Sequence, residues 1–316
     1  MRRAHRAVWV AAFLVAALGT SAMSGVAEPP SVSPRPYLWR VERYGRTSYL
    51  FGTIHVGLDA EAALGPAGRE ALDGARRVFV EMDMTSLDTV DEFTMGAIRR
   101  AEMPPDRSLR ALLRDDSWRR LAALHAGRLT PEELERLEPW FVSQWTLPRM
   151  LAPRRTVLPG VRRDAPPLDA AITLRAEALG TKVAPLESPA EHLGSFTAVG
   201  RAQSVAMLEE AVSNPEAMRD ETDRLVAAYA RADDRAIRKI VGRLARRRPT
   251  VAEYVLFRRN ERWRDKLELW LPEGRIFVAV GVGHMFGERG LVSLLRQRGY
   301  RVERVRPVEL AGAPRG

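Results

Sequence analysis

The sequence predicts an α/β (α+β) fold in which a mixed central sheet is built from both ends of the chain, flanked by helices, with a helical insertion in the middle. Short apolar runs near both ends stop at a glycine or a carboxylate, as buried strands do. Between residues 104 and 250, apolar side chains instead recur at helical spacing. We therefore expect one domain over residues 37–310 that carries its insertion at about 104–250.

The first 27 residues have the pattern of a secretory signal peptide. A basic start precedes an apolar run from Ala7 to Leu18, and small residues then lead to Ala27. The run is short for a bilayer crossing, and an uncleaved membrane anchor is the alternative. We expect cleavage near Ala27, a Pro- and Ser-rich linker over residues 28–36, and a periplasmic or secreted protein.

Composition excludes several classes of function. The chain has no cysteine, so disulfides, a thiolate zinc site, a cysteine nucleophile and a lipoprotein anchor are all excluded. Its formal net charge is +10, yet no basic patch is interleaved with aromatic residues as in single-strand binders. With export also expected, we predict no nucleic-acid partner. The charge remains compatible with weak contact to an anionic membrane surface.

The N-terminal part of the domain predicts a strand, a helix and a second strand. A hairpin over residues 37–51 runs into Gly52 and His55, and a helix follows over about residues 66–75. The apolar run 78–80 then ends on Glu81. This β-α-β order predicts parallel pairing, which places His55 and Glu81 at the same edge of the sheet.

The C-terminal part repeats the arrangement around a second histidine. The apolar run 276–280 ends at Gly281, and His284 lies three residues after that glycine, as His55 does after Gly52. A glycine at the end of a strand lets the chain turn sharply and lets a ligand approach. We therefore expect the two Gly-x-x-His turns to meet at the carboxyl edge of the sheet. The alternative is a pair of structural histidines that cap helices.

Glu81 favours the first of these interpretations. A carboxylate at the end of a buried strand is costly unless it is paired or bound to a cation. His55, His284 and Glu81 together form a plausible set of ligands for a divalent metal. Glu81 would be either a ligand or the general base that takes a proton from water. Asp83, two residues further on, is expected to face the same side.

Three other polar residues are candidates for a supporting role. Glu187 ends a strand over residues 182–187, although an ion pair with a helical arginine is an equally good explanation. Arg259 and Asn260 lie in a helix predicted over residues 250–269. Arg259 would orient a carboxylate, stabilise an oxyanion or hold substrate, and the alternative for it is an ordinary solvated helix face.

Several stretches resemble motifs of the TraB/GumN family, which includes the TIKI-type proteases. The similar stretches are residues 49–55, 78–83, 185–188, 257–263 and 277–300. The resemblance implies a fold related to erythromycin esterase and the haem-binding ChaN proteins, with two Gly-x-x-His motifs and a glutamate as the site. It also implies metal-dependent proteolysis. His192 stands where relatives usually have glutamine, and a third imidazole there would extend the metal site or replace a supporting donor.

The function expected from these observations is metal-dependent hydrolysis, with a peptide or protein as substrate. Mn, Co or Zn would be held by His55, His284 and Glu81, while Arg259 and Asn260 would assist catalysis and Asp83, Glu187 and His192 would support the ligands. The alternative is a haem- or metal-binding module of the same fold without turnover. Glu81 separates the two, because haem ligation does not need an adjacent base.

Overall fold

The computed structural model describes residues 36–55, 59–150 and 166–305. The expected signal peptide (1–27) and all but the last residue of the expected linker (28–36) lie outside the described residues. The same holds for residues 306–310 of the expected domain and for part of the insertion, residues 151–165.

A six-stranded mixed sheet forms the centre of the fold, and the α/β prediction is confirmed. The strands are β1 (Leu38–Arg43), β2 (Arg46–Thr53), β3 (Arg77–Val80), β4 (Lys182–Pro185), β5 (Ile276–Gly281) and β6 (Arg301–Arg304). Their order across the sheet is β4-β3-β5-β2-β1-β6. The first four of these pair in parallel, whereas β1 is antiparallel to both of its neighbours. The sheet therefore interleaves strands from both ends of the chain, and it adds at one edge β4, which comes from within the predicted insertion at about 104–250.

Fourteen α-helices occur in the part of the chain that the structure describes. They are α1 (Ala60–Asp73), α2 (Leu87–Arg99), α3 (Leu109–Leu112), α4 (Asp115–His125), α5 (Pro131–Glu135), α6 (Pro139–Met150), α7 (Leu168–Ala178), α8 (Pro189–Thr197), α9 (Arg201–Ser213), α10 (Pro215–Ala230), α11 (Asp234–Arg247), α12 (Pro249–Ala252), α13 (Arg258–Glu268) and α14 (Leu291–Gln297). A π turn (Glu253–Phe257) joins α12 to α13, and a 3₁₀ turn (Val282–Met285) follows β5.

The hairpin and the first helix show how local sequence sets these boundaries. Tyr44 and Gly45 both have positive φ, 50° and 69°, as a two-residue turn between antiparallel strands requires. Helix α1 begins at Ala60, earlier than the predicted start near Pro66, because Asp59 caps an additional first turn. That turn joins the rest of α1 through a kink at Gly65, whose φ is 59°.

The main core lies against the sheet. It combines the buried side chains of all the strands except β4 with residues of α1, α7, α10, α13 and α14, and strand β5 is buried from Ile276 to Val280. Two smaller apolar clusters pack mainly helices from the middle of the chain, one around Trp118 and Leu208 and one around Trp140. Within the described residues, none of the helices has the length and apolar character that a bilayer crossing requires.

Candidate active site at the carboxyl edge of the sheet

The four parallel strands end at one edge of the sheet, and each is followed by a candidate site residue. His55 follows β2, Glu81 follows β3, Glu187 follows β4 and His284 follows β5. Parallel strands deliver the residues at their carboxyl ends to a common crevice, where open α/β sheets bind ligands. Topology thus brings together residues that lie up to 229 positions apart in the chain.

Glu81 lies at the centre of this group and is buried. Its Oε1 accepts a hydrogen bond from the Gly281 backbone N–H at 2.7 Å, and its Oε2 accepts one from Arg259 Nη2 at 2.5 Å. The His284 Nε2 atom is 3.7 Å from Oε1. Burial alone would raise the pKa of Glu81, but Arg259 and the neighbouring histidines outweigh it and hold that pKa well below its usual range. Glu81 is therefore ionised.

His284 is held by a side chain that fixes which of its ring nitrogens carries hydrogen. Its Nδ1 lies 2.6 Å from Asn260 Oδ1, and Asn260 Nδ2 donates to the Arg289 carbonyl at 2.8 Å. Because the amide oxygen faces the ring, Nδ1 donates and Nε2 is left without hydrogen. Burial, reinforced by the charge of Arg259, lowers the pKa of His284 to about 3, so the ring is neutral. Trp263 packs on it at 4.5 Å between ring centroids.

His55 has the matching arrangement on the other side of Glu81. Its Nδ1 lies 2.5 Å from Asp169 Oδ2, although 65% of its side chain is exposed. The negative charge of Asp169 raises the pKa of His55 above its usual value. Helix α1 is capped by Asp59 rather than by His55, and His284 lies within the 3₁₀ turn. Neither histidine caps one of the described helices, and whether the two have more than a structural role stays a prediction.

The absence of a side chain at Gly281 leaves a gap that the three candidate ligands share. A β-carbon at this position would lie 3.2 Å from Glu81 Oε1, 3.5 Å from His284 Cδ2 and 3.9 Å from His55 Nε2. The structure thus brings His55, Glu81 and His284 around one point, as the two Gly-x-x-His turns predict. Which of them bind a metal stays a prediction.

Arg259 is buried, with 4% of its side chain exposed, so the solvated-face alternative is wrong. Its Nε and Nη2 donate to the two oxygens of Glu187 at 3.1 and 2.6 Å, and Nη2 also donates to Glu81. Its Nη1 donates to the Val255 carbonyl at 3.1 Å and lies 3.4 Å from His284 Nε2. A guanidinium has five N–H donors, and all of them face protein acceptors. This geometry favours a positioning role over direct contact with a substrate carbonyl.

The remaining predicted residues divide between this cluster and its surroundings. Glu187 pairs with Arg259 on helix α13, which is the alternative that the sequence left open for it. His192 contacts Glu187 through Nδ1 at 2.6 Å and so lies behind the ligands. Asp83 Oδ1 accepts hydrogen bonds from the backbone and hydroxyl of Thr85, at 3.1 and 2.6 Å, within a local turn.

Two residues of the site were missed by sequence reasoning. Asp169 occupies the first turn of α7 just after Pro167, where an acidic residue is expected merely to favour the helix dipole. Trp263 fits the apolar periodicity of α13 and is read as ordinary core. The local sequence around Asp169 or Trp263 is the same whether the residue contacts the site or has only its usual structural role.

The donors present are suited to a divalent metal. Each histidine has Nδ1 bound to an oxygen, the arrangement that directs Nε2 toward a metal, and Glu81 adds a carboxylate oxygen. Bonds of about 2.0–2.2 Å place neighbouring tetrahedral donors about 3.3–3.6 Å apart, close to the 3.7 Å between Glu81 Oε1 and His284 Nε2. Across the described residues, however, no three histidine, aspartate or glutamate side chains are grouped tightly enough to hold a metal ready-made.

Comparison with known proteins decides the family. The model of the TraB/PrgY/gumN family matches residues 37–304, which include every residue of the cluster. The chain belongs to the TraB/PrgY/gumN family. The family predicted from the sequence motifs is therefore confirmed.

Several proteins similar to this chain are named as metalloproteases. Metalloprotease TIKI2 of Danio rerio is 26% identical, over 86% of this chain and 61% of its own length. The metalloprotease TIKI homolog of Nematostella vectensis is 23% identical, over 88% of this chain and 69% of its own length. Metalloprotease TIKI2 of Xenopus tropicalis is 24% identical, over 84% of this chain and 59% of its own length. This chain thus spans about three fifths to two thirds of these relatives, and no solved structure matches it.

Proposed function

We propose that this protein is an exported metal-dependent hydrolase whose substrate is a peptide or protein. The observation that carries the proposal is the gap at Gly281, which His55 Nε2, Glu81 Oε1 and the His284 ring all face. The metalloprotease names of the relatives support the same chemistry. Because these relatives share low identity with this chain and are longer than it, the peptide or protein substrate is part of the proposal.

The residues around the gap would act by holding and orienting reactants. His55, His284 and Glu81 would hold a divalent cation such as Mn, Co or Zn. When bound, the cation supplies Lewis-acid polarisation of the scissile bond and makes water easier to deprotonate. Asp169 and Asn260 fix the ring nitrogens of the two histidines. Arg259 keeps Glu81 ionised and immobile.

The geometry favours Glu81 as a ligand over Glu81 as a general base. Both of its oxygens accept hydrogen bonds, from Gly281 and Arg259, and its pKa is well below its usual range. A carboxylate stabilised in its ionised form is a weak proton acceptor near neutral pH. Its negative charge, in contrast, is what a cation site requires. Glu81→Gln distinguishes the roles because it preserves shape and removes the charge.

The experiment combines metal analysis with two substitutions. The purified chain is chelated, reloaded with Mn, Co or Zn singly, and assayed on a peptide library. We expect His284→Ala to lose metal and hydrolysis, and Glu81→Gln to lose both together if Glu81 is a ligand. If Glu81 is a base, hydrolysis falls by at least about 10²-fold while metal is retained. The same change at a half-exposed position, Glu303→Gln, is the control and should alter neither.

Two results would refute the proposed function. Near-normal hydrolysis in both site variants would mean that the Gly-x-x-His turns are structural. A haem spectrum on addition of haemin, together with no hydrolysis of any library peptide, would instead support the binding module without turnover. Both outcomes are measured on folded protein, and thermal unfolding shows whether each variant is folded.

A further inference from the structure

Glu187 and Glu81 form a pair of buried carboxylates on neighbouring strands. The ladder between β3 and β4 continues past both strands, because Leu186 N–H donates to the Val80 carbonyl at 2.7 Å and Glu187 N–H to the Glu81 carbonyl at 3.1 Å. Only 1% of the Glu187 side chain is exposed. Two such charges side by side repel each other unless a cation separates them. The Arg259 guanidinium lies between them and bonds to both.

The helix that carries Arg259 is locally widened at this point. In the π turn, the Arg258 N–H bonds to the Glu253 carbonyl five residues back instead of four. The Val255 carbonyl, within the same turn, accepts from Arg259 Nη1. The regular helix predicted over residues 250–269 is therefore interrupted, and a carbonyl within the interruption accepts a hydrogen bond from the guanidinium. Arg259 is thus anchored from β4 and from its own helix.

His192 holds the outer side of Glu187. Its Nδ1 donates to the same oxygen, Oε1, that accepts from Arg259 Nη2. Its ring is packed edge-on between Phe93 and Phe196, with centroids 5.7 and 5.0 Å away, and 18% of the side chain is exposed. The backbone beneath it is fixed by a capping box at the start of α8. The hydrogen bonds from His192 and Arg259 therefore restrain the orientation of the Glu187 carboxylate.

We propose that Glu187 and His192 are positioning residues, which hold the Arg259 guanidinium at the angle that keeps one N–H group on Glu81 and another toward His284. The expected effect on metal affinity rests on the proposed function, whereas the positioning of Arg259 does not. Neither residue takes part in the reaction. Their effect reaches the candidate ligands through Arg259, because loss of either contact lets the guanidinium rotate and frees Glu81.

The test separates the hydrogen bond of His192 from its packing. His192→Phe keeps a ring between Phe93 and Phe196 but has no donor. His192→Asn removes the ring but keeps an N–H donor the same number of bonds from the backbone. Glu187→Gln removes the negative charge with which Arg259 forms its ion pair. Arg262→Gln is the control for charge alone, because the Arg262 guanidinium lies 3.8 Å from Glu187, within ion-pair distance but beyond hydrogen-bonding distance.

Two measurements follow the variants. The first is the ¹H–¹⁵N signal of the Arg259 Nε–H group, assigned by its loss in Arg259→Lys and recorded without metal. The second is the affinity for Mn²⁺ alone, measured by electron paramagnetic resonance. Substitutions behind metal ligands cost about 10- to 100-fold in affinity. We expect a loss in that range for His192→Phe and Glu187→Gln, with a shifted or exchange-broadened Arg259 signal. His192→Asn and Arg262→Gln should stay within about 3-fold, below that range.

The two measurements keep this inference separate from the proposed function. If the wild-type chain binds no Mn²⁺, the proposed function fails while the Arg259 signal still tests positioning. An unchanged Arg259 signal in folded His192→Phe and Glu187→Gln would overturn the inference. Equal losses in His192→Phe and His192→Asn would also overturn it, because they would trace the effect to packing rather than to the hydrogen bond.

Discussion

At the scale of single residues, the site depends on what is missing at Gly281 as much as on the side chains around it. Its backbone N–H donates to Glu81, and its α-carbon carries no group that would fill the space between Glu81, His284 and His55. The backbone of Gly281 does not have positive φ, so alanine is conformationally acceptable there. Glycine is therefore needed here because a side chain would occupy the gap, and not because the turn requires its backbone conformation.

Gly281→Ala should damage the site without unfolding the protein. The added methyl would come within 3.2 Å of Glu81 Oε1, so the carboxylate must shift by a few tenths of an ångström. We expect Mn²⁺ affinity to fall at least about 10-fold, as for other displaced ligand geometries, with little change in Tm. Gly194→Ala, where a β-carbon meets nothing within 4 Å, is the control and should bind normally. Equal Mn²⁺ affinity in both variants would mean that the gap is not the metal position.

At the scale of elements, a helix of the predicted insertion holds in place the strand that leads to His55. The Tyr229 hydroxyl on α10 donates to the Gly52 carbonyl of β2 at 2.7 Å, and its ring stacks on Tyr37 at 4.9 Å. Both groups are buried, and burial raises the pKa of Tyr229 well above its usual value, so the hydroxyl stays protonated and able to donate. Helix α10 therefore contributes directly to the geometry of the sheet edge.

Tyr229→Phe removes this hydrogen bond and leaves the rest of the packing in place. A buried carbonyl without its partner costs about 1–3 kcal/mol, so we expect the free energy of unfolding to fall by about that amount. Urea denaturation of the two proteins measures the difference. Tyr44→Phe, at a turn residue that is 81% exposed, should change stability by less than about 0.5 kcal/mol. A Tyr229→Phe effect no larger than this control would contradict the prediction.

At the scale of the whole molecule, stability comes from the core on the sheet, and the site lies at the edge of that core. The main cluster extends from Tyr37 to Val302 and uses strands from both chain ends. Arg259 already provides a cation for the two buried carboxylates, Glu81 and Glu187. Each carboxylate therefore has a protein cation as its partner before any metal is bound, although the three side chains together keep one net negative charge.

Removing the metal should leave the chain folded but less stable. We expect the far-ultraviolet circular dichroism of the chelated protein to match that of the loaded one. Re-addition of Mn²⁺ at 100 times its Kd would add about 2.7 kcal/mol to the free energy of unfolding, or roughly 5–10 °C in Tm for a domain of this size. His284→Ala should show no such rise. An unfolded chelated protein would instead make the metal part of the fold.

Export, which the sequence predicts for the whole chain, can be measured directly. The basic start, apolar run and small residues before Glu28 predict cleavage near Ala27. We expect N-terminal sequencing of protein recovered from the periplasm or medium to begin near Glu28. Protein that begins at Met1 and stays in the cytoplasm would overturn this prediction. Membrane-bound protein beginning at Met1 would identify an uncleaved anchor.

The sequence by itself determined the elements and the edge at which the candidate ligands meet. Apolar runs that end at Gly52, Glu81 and Gly281 are local signals, and parallel pairing delivers whatever follows them to one crevice. The starts of α5, α8 and α10 at Pro131, Pro189 and Pro215 also have local causes, since proline and the residues that cap helices act locally.

Only the tertiary structure decided which polar side chains of the helices serve the site. The burial of Arg259, the partnership of Asp169 with His55 and the link from His192 to Glu187 all join residues from separate elements. A charged residue on an amphipathic helix has the same local pattern whether it faces solvent or a buried carboxylate. Whether such a residue is buried or exposed depends on the partner that packing places opposite it. A buried charge is tolerated only where it meets an opposite charge and hydrogen-bonding groups.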